Sequence, residues 1–343
     1  MGSRFNGAIA LALTALLLAG CADLAYYAQA VGGHSAVLQA ARPVPALLAD
    51  PALEPGLRAR LEEARAIRAF ASRELALPDN GSYESYADLG RPYVVWNVFA
   101  APAFSLDLEE WCFALVGCVP YRGYYREAEA QAFAGALRAR GLDVAVSGVA
   151  AYSTLGFYAD PLLNTFLGPG DDGTARTVFH ELAHQRLFIA DDPAFNESFA
   201  TAVEQEGLRR WLTAAGDGAG LARQARRQER QAAFDALVGE SRARLAQLYA
   251  STAGVEEKRR AKAALMARLA EAAADLPRAP AAFNNAVLGA LGVYRRWVPA
   301  FEALLRSVGG DLPAFYRQAV ALGRLPPPER EAALSRLLAA GAP

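Results

Sequence analysis

Residues 180 to 185 read His-Glu-Leu-Ala-His-Gln, and this hexapeptide constrains the chain more than any other stretch. On an α-helix, positions i and i+4 share one face. His180 and His184 therefore point the same way, with Glu181 beside the first. Two imidazoles so placed can bite one zinc ion, and an adjacent carboxylate can take a proton from a water that the metal activates. The chain contains three histidines, and two are spent here. Hydrolytic zinc usually takes three protein ligands, so the motif demands a helix and a second element folded back to complete the set.

His34 is far upstream in a segment with no supporting pattern. Downstream, FNESFATAVEQEG over 195–207 offers Glu197, Glu204 and Glu206. Thr174 is placed to cap the helix that carries HELAHQ, and Asp191-Asp192-Pro193 breaks the chain before a second helix over 194–214. Two helices joined so closely can lie side by side. Glu197, the first acidic residue of the second, is the expected third ligand. Glu204, seven residues on and on roughly the same face, is expected to hydrogen-bond a ligand from behind.

The 343 residues are 53% hydrophobic, enough for a large core. A net charge of −1 gives no electrostatic case for nucleic acid or for an anionic membrane surface. The N-terminus carries Arg4, an apolar run over 8–18 and then Leu18-Ala19-Gly20-Cys21. The run is shorter than the roughly 20 residues that span a bilayer. The segment resembles a bacterial lipoprotein signal of residues 1–20 with lipidation at Cys21; the alternative is an ordinary cleavable signal with a chance cysteine. Ala22 rather than Asp favours the outer membrane. An exported location permits disulfides, and Cys112 and Cys118 are expected to pair, the alternative being a metal or redox pair.

Periodicity gives an α+β chain. Helices are expected over 55–76 and 127–140, and strands over 93–99, 118–125, 143–147 and 149–155. After residue 174 every signal is helical: 194–214, 218–250, 255–275, 282–307, 311–322 and 328–340. The division is 1–20 signal, 21–173 with the small sheet, and 174–343 with the metal-binding helix pair and a helical C-terminal part. An arginine-rich run near 222–231 reads as a solvated helix face.

HELAHQ followed by FNESFA resembles the gluzincin metallopeptidases, in which an HExxH helix precedes one carrying NExxA. The similarity is to the zinc aminopeptidases with HExxHQ and LNEGFA. It implies a zincin-like fold, with His180, His184 and Glu197 as zinc ligands and Glu181 as general base; Asn196 matches the Asn before the third ligand. Over nearly the whole mature length the chain is also similar to a family of bacterial putative aminopeptidase lipoproteins, through YAQAVGG, LPDNGSYESYADLGRPYVVWNV, the WCF and GCVPYRGYY segments, AYSTLGFYADPLL, FHELAHQ and FNESFATAVE. The interval from His184 to Glu197 is shorter than in the aminopeptidases, and no GxMEN-like segment for the substrate amino terminus is present. The resemblance further implies an oxyanion-stabilising tyrosine on a later helix, here Tyr294. Asn284 and Asn285 are expected to face the cleft and bind substrate backbone. The strand over 149–155 is expected to pair with an extended substrate, lining the cleft with Ala151, Tyr152 and Ser153; Tyr121, Arg122 and Tyr124 are weaker choices. The expected function is a zinc-dependent metallopeptidase acting on peptides or proteins, held to the membrane by its lipid. An envelope endopeptidase, or a scaffold that keeps the zinc site without turnover, are the alternatives.

Overall fold

The computed structural model describes residues 24–113, 117–168, 172–274, 276, 280 and 282–341, with the backbone alone for Tyr294. The signal segment and Cys21 lie outside the described residues. Helix α1 spans 24–40, and strand β1 (Arg42–Pro43) and the short helix α2 (Val44–Leu48) follow. Helix α3 (Pro55–Leu75) forms where Leu61, Ala64, Ile67, Ala71 and Leu75 recur at helical spacing, and all five are buried. Pro55 opens it, and the Glu54 carboxylate accepts the Gly56 and Leu57 amides at 2.7 and 2.6 Å.

Among the described residues the strands are short and form three separate small sheets. Strand β2 (Ser85–Ala87) lies between β1, antiparallel, and β8 (Leu162–Leu163), parallel. Strand β3 (Val95–Ala101) is the centre of an antiparallel sheet, flanked by β6 (Arg122–Tyr124) and β7 (Asp143–Val149). Strands β4 (Trp111–Phe113) and β5 (Gly117–Val119) make a hairpin in which Cys112 lies opposite Cys118, joined by a disulfide. Helix α4 (Glu127–Ala139) packs on β3 and β7.

Three strand expectations change. The stretch 118–125 divides into β5 and β6 because Pro120 has no amide to donate to a ladder. The stretch 143–155 gives one strand, which runs through Gly148 and ends where Val149 meets Val95, the last partner on β3. Residues 150–155 are not a strand.

Helices fill the remainder: α5 (Gly173–Arg186), α6 (Pro193–Ala214), α7 (Gly218–Ala250), α8 (Val255–Ala273), α9 (Asn285–Arg295), α10 (Val298–Ser307), α11 (Leu312–Gly323) and α12 (Pro327–Gly341). The helix expected over 282–307 is interrupted at Arg296-Trp297. Pro299, in the first turn of α10, would clash with the carbonyl four residues earlier in a continuous helix. Thr174 is not the cap of α5: the helix begins one residue earlier, and the Thr174 hydroxyl donates to the Phe166 carbonyl at 3.4 Å. No described helix is long and apolar enough to cross a membrane.

The main core runs from Val37 to Leu334 and joins α3, α5, α6, α10, α11 and α12. The Tyr316 hydroxyl of α11 donates to the Leu75 carbonyl of α3 at 2.8 Å, both buried. Gly207 of α6 permits the close approach of α5 and α3, since a Cβ there would lie 2.8 Å from both Phe179 and Leu75.

Candidate active site

Helices α5 and α6 lie side by side because the link between them is short and stitched. Asp191 turns the chain with φ +63°, Pro193 starts α6, and the Asp192 carboxylate caps it by accepting the Phe195 amide at 3.0 Å. The buried Asn196 side chain accepts the Ile189 amide at 2.8 Å and donates to the Ile189 carbonyl at 2.7 Å. Asn196 thus clamps the link that sets where Glu197 stands.

His180, His184 and Glu197 come together. Their ligand atoms lie within 4.8 Å of one another and could hold one metal ion. The two Nε2 atoms are 3.2 Å apart, and the Glu197 carboxylate oxygens lie 3.4 Å from His180 and 3.7 Å from His184. Behind them, His180 Nδ1 meets Glu204 Oε2 at 3.2 Å, and Arg176 donates to the other Glu204 oxygen at 2.6 Å. His184 Nδ1 is buried with no partner among the described residues, so that ring is oriented by packing and by its Nε2 contacts alone.

The charges around the pair are unequal. Burial works against a charged His180, but the Glu197 and Glu204 carboxylates outweigh it and hold its pKa well above the ordinary imidazole range. Burial takes His184 down to about 4, with Glu197 opposing and His180 adding. The site therefore stabilises one positive charge between two imidazoles and two carboxylates. A two-histidine, one-carboxylate set with one open side is the donor chemistry of hydrolytic zinc, so these residues fit a metal.

Glu181 lies on the neighbouring face and is buried, which pushes its carboxyl up from 4.5 to about 7; His180 opposes this and Glu197 adds to it. Gln185, one turn on, ties α5 to two distant segments. It donates to Ser82 Oγ at 3.1 Å and Asp160 at 3.3 Å and accepts from Asn80 at 2.8 Å. These contacts bring the LPDNGSY and AYSTLGFYADP stretches of the sequence to one place.

His180, Glu181, His184 and Glu197 open into a cavity of about 920 Å³. One wall is β3 and β7, a second is the β4–β5 hairpin with Pro120 and Tyr121, a third is α9, and Tyr26 and Ala30 of α1 close another side. Consecutive residues 145–153 all line it, so the edge of β7 rather than one face borders the cavity. Ala151, Tyr152 and Ser153 reach it from irregular chain, not from the strand expected for them. The Tyr152 hydroxyl is tied to His34 at 2.7 Å and receives the Tyr125 hydroxyl at 2.9 Å.

Two expected site residues do other work. Asn284 caps α9, accepting the Val287 amide at 2.9 Å and donating to the Val144 carbonyl at 3.1 Å. Asn285 is fully buried; it bonds the Tyr249 hydroxyl and the Pro102 and Ala103 carbonyls. Neither lines the cavity, because α9 starts at this pair and turns both side chains toward the sheet and α7. The Tyr294 side chain lies outside the described residues. Tyr121, a weaker choice by sequence, lines the cavity against Phe99 at 5.7 Å between ring centres. Burial, then the Glu197 and Glu181 carboxylates, raise its pKa, so it remains a protonated donor. No local pattern marks it, since Glu181 and Glu197, its neighbours in the site, lie far along the chain.

The geometry defines a candidate metal centre of the helix-pair type, with a buried carboxylate beside it. A family described as putative aminopeptidase matches residues 25–334, and the chain belongs to that family. No curated protein and no solved structure matches it.

Proposed function

We propose that the chain is a zinc-dependent peptidase with a zincin-like active site, anchored in the cell envelope through an acylated Cys21. The observation that carries this reading is the meeting of two imidazole nitrogens and the Glu197 carboxylate at one point, with buried Glu181 facing the same cavity. His180, His184 and Glu197 would hold the ion, and zinc bound there would lower the pKa of water toward about 7 and polarise a carbonyl. Glu181 accepts the proton of the attacking water and returns it to the leaving amine. Tyr121 or Tyr294 donates to the oxygen that gains charge at the scissile carbonyl.

Two further carboxylates line the cavity. Asp192 is committed to capping α6 and to Arg330 at 2.8 Å. Asp191 spends one oxygen on the Cys118 amide at 2.6 Å and is otherwise exposed. It is therefore the group placed to meet a free substrate amine, which supports aminopeptidase over endopeptidase action. The test is cleavage of a mixed peptide library, free and N-acetylated, with metal analysis of the same sample. About one zinc per chain and cleavage of free peptides alone are expected. Cleavage of acetylated peptides moves the reading to an endopeptidase; no zinc and no cleavage overturns it.

A further inference from the structure

Helix α1 has two apolar faces. Tyr26 and Ala30 point into the cavity, and Gln29 fixes the helix to the β6 region through the Gly123 carbonyl at 3.2 Å and the Tyr125 amide at 3.1 Å. Leu24, Tyr27 and Val31, spaced three and four apart, form a stripe on another face. They are 70, 48 and 66% exposed. One turn beyond Val31, His34 packs against Tyr158 with 4.9 Å between rings, and Tyr158 and Phe157 are themselves 55 and 69% exposed. Five of the seven large hydrophobic side chains exposed among the described residues thus belong to this one region.

The region carries almost no charge. From residue 24 to 41, and again from 152 to 158, the sequence has no Asp, Glu, Lys or Arg. An exposed helix without charges is poorly matched to water, and tyrosines flanked by aliphatic residues suit the boundary between headgroups and acyl chains. Leu24 lies three residues after Cys21, a length of chain that reaches at most about 11 Å.

We propose that Leu24, Tyr27, Val31, Phe157 and Tyr158 lie on the lipid bilayer that the Cys21 acyl chains enter. The occupant is the bilayer rather than a protein because the stripe begins beside the anchor and offers apolar and hydroxyl groups without charges. Since the same helix walls the cavity, the cavity is held beside the membrane surface. Its substrates are then chain segments close to the membrane.

This rests on acylation of Cys21, and the two are separable. Mass spectrometry of the N-terminal peptide tests acylation alone, and an unmodified Cys21 defeats the anchor. Hydroxyl-radical labelling is then compared between the acylated protein in phosphatidylcholine vesicles and the unacylated mature chain in solution. Labelling of Tyr27, Phe157 and Tyr158 is expected to fall at least fivefold in vesicles, at both low and high salt, with Val255 on α8 unchanged. Equal labelling in the two states overturns the proposal. So does loss of labelling in the unacylated chain as its concentration rises without lipid, which would make the face an interface between two copies. Cleavage of a soluble peptide, measured alongside, reports on the peptidase reading independently.

Discussion

Glu181 and His184 are both buried, three residues apart on one helix, and burial moves their pKa values in opposite senses, to about 7 and about 4. Each shift disfavours the charged form. The consequence for Glu181 has a definite sign. Its folded pKa lies above the unfolded 4.5, so ionising it costs stability; the cost is absent below pH 4.5 and complete above 7. Metal-free Glu181→Gln is therefore expected to be more stable than the metal-free parent at pH 8, by on the order of 3 kcal/mol, and equal to it at pH 4; thermal melts across this range decide it. With metal, Glu181→Gln should keep the ion and lose peptide cleavage by about 10²–10⁴-fold. A cellular phenotype that survives Glu181→Gln would favour a scaffold role; cleavage that survives would deny Glu181 the part of general base. Glu204→Ala removes the partner of His180 Nδ1 and is expected to weaken metal binding by about 10–100-fold in a chelator competition, with the fold intact. Tyr121→Phe should lower kcat by about 10²-fold with little change in KM or metal content; an unchanged kcat would leave the role to Tyr294.

At the scale of elements, the α5–α6 pair was the legible part. Its signals are local: the i, i+4 histidines, the Asp-Asp-Pro break and the glutamate just after it. Single-strand and single-helix boundaries were less so, because Pro120 and Pro299 cut stretches whose apolar pattern runs on through them. Asn284 and Asn285 misled for a related reason. Within an assumed helix they had no local purpose, whereas at the true start of α9 one is a cap and the other a buried clamp. Tyr121 and the Gln185 contacts to Ser82 and Asp160 depend on chain segments brought together only by the fold. The β4–β5 hairpin makes a clear prediction at this scale. Gly117 has φ +75°, and a Cβ there would lie 2.2 Å from the Asp191 carboxylate. Gly117→Ala should push the hairpin off the α5–α6 link and raise KM, while the Cys112–Cys118 bond still forms. Asn196→Ala leaves the Ile189 amide without its partner and the Ile189 carbonyl with only the 3.4 Å bond from the Asp192 amide, and is expected to cost about 1–3 kcal/mol by denaturant unfolding.

For the molecule as a whole, the α+β class was legible from periodicity, but the three small sheets were not. Short strands carry little pattern, and their pairings join distant residues, such as Tyr86 with Leu162. The cavity likewise takes its walls from α1, from the β3 sheet and from α9, so it exists only when the whole chain is folded. The bond from the Tyr316 hydroxyl to the Leu75 carbonyl bears on the order in which that happens. A chain that emerges amino end first presents α3 long before α11 exists. Until the last few dozen residues arrive, the Leu75 carbonyl lacks its partner and the main core lacks the side chains of α11 and α12 that complete it. The nascent protein thus spends most of its synthesis unable to close its core, and a stop codon shortly before α11 should send the product to proteases rather than yield a shortened protein.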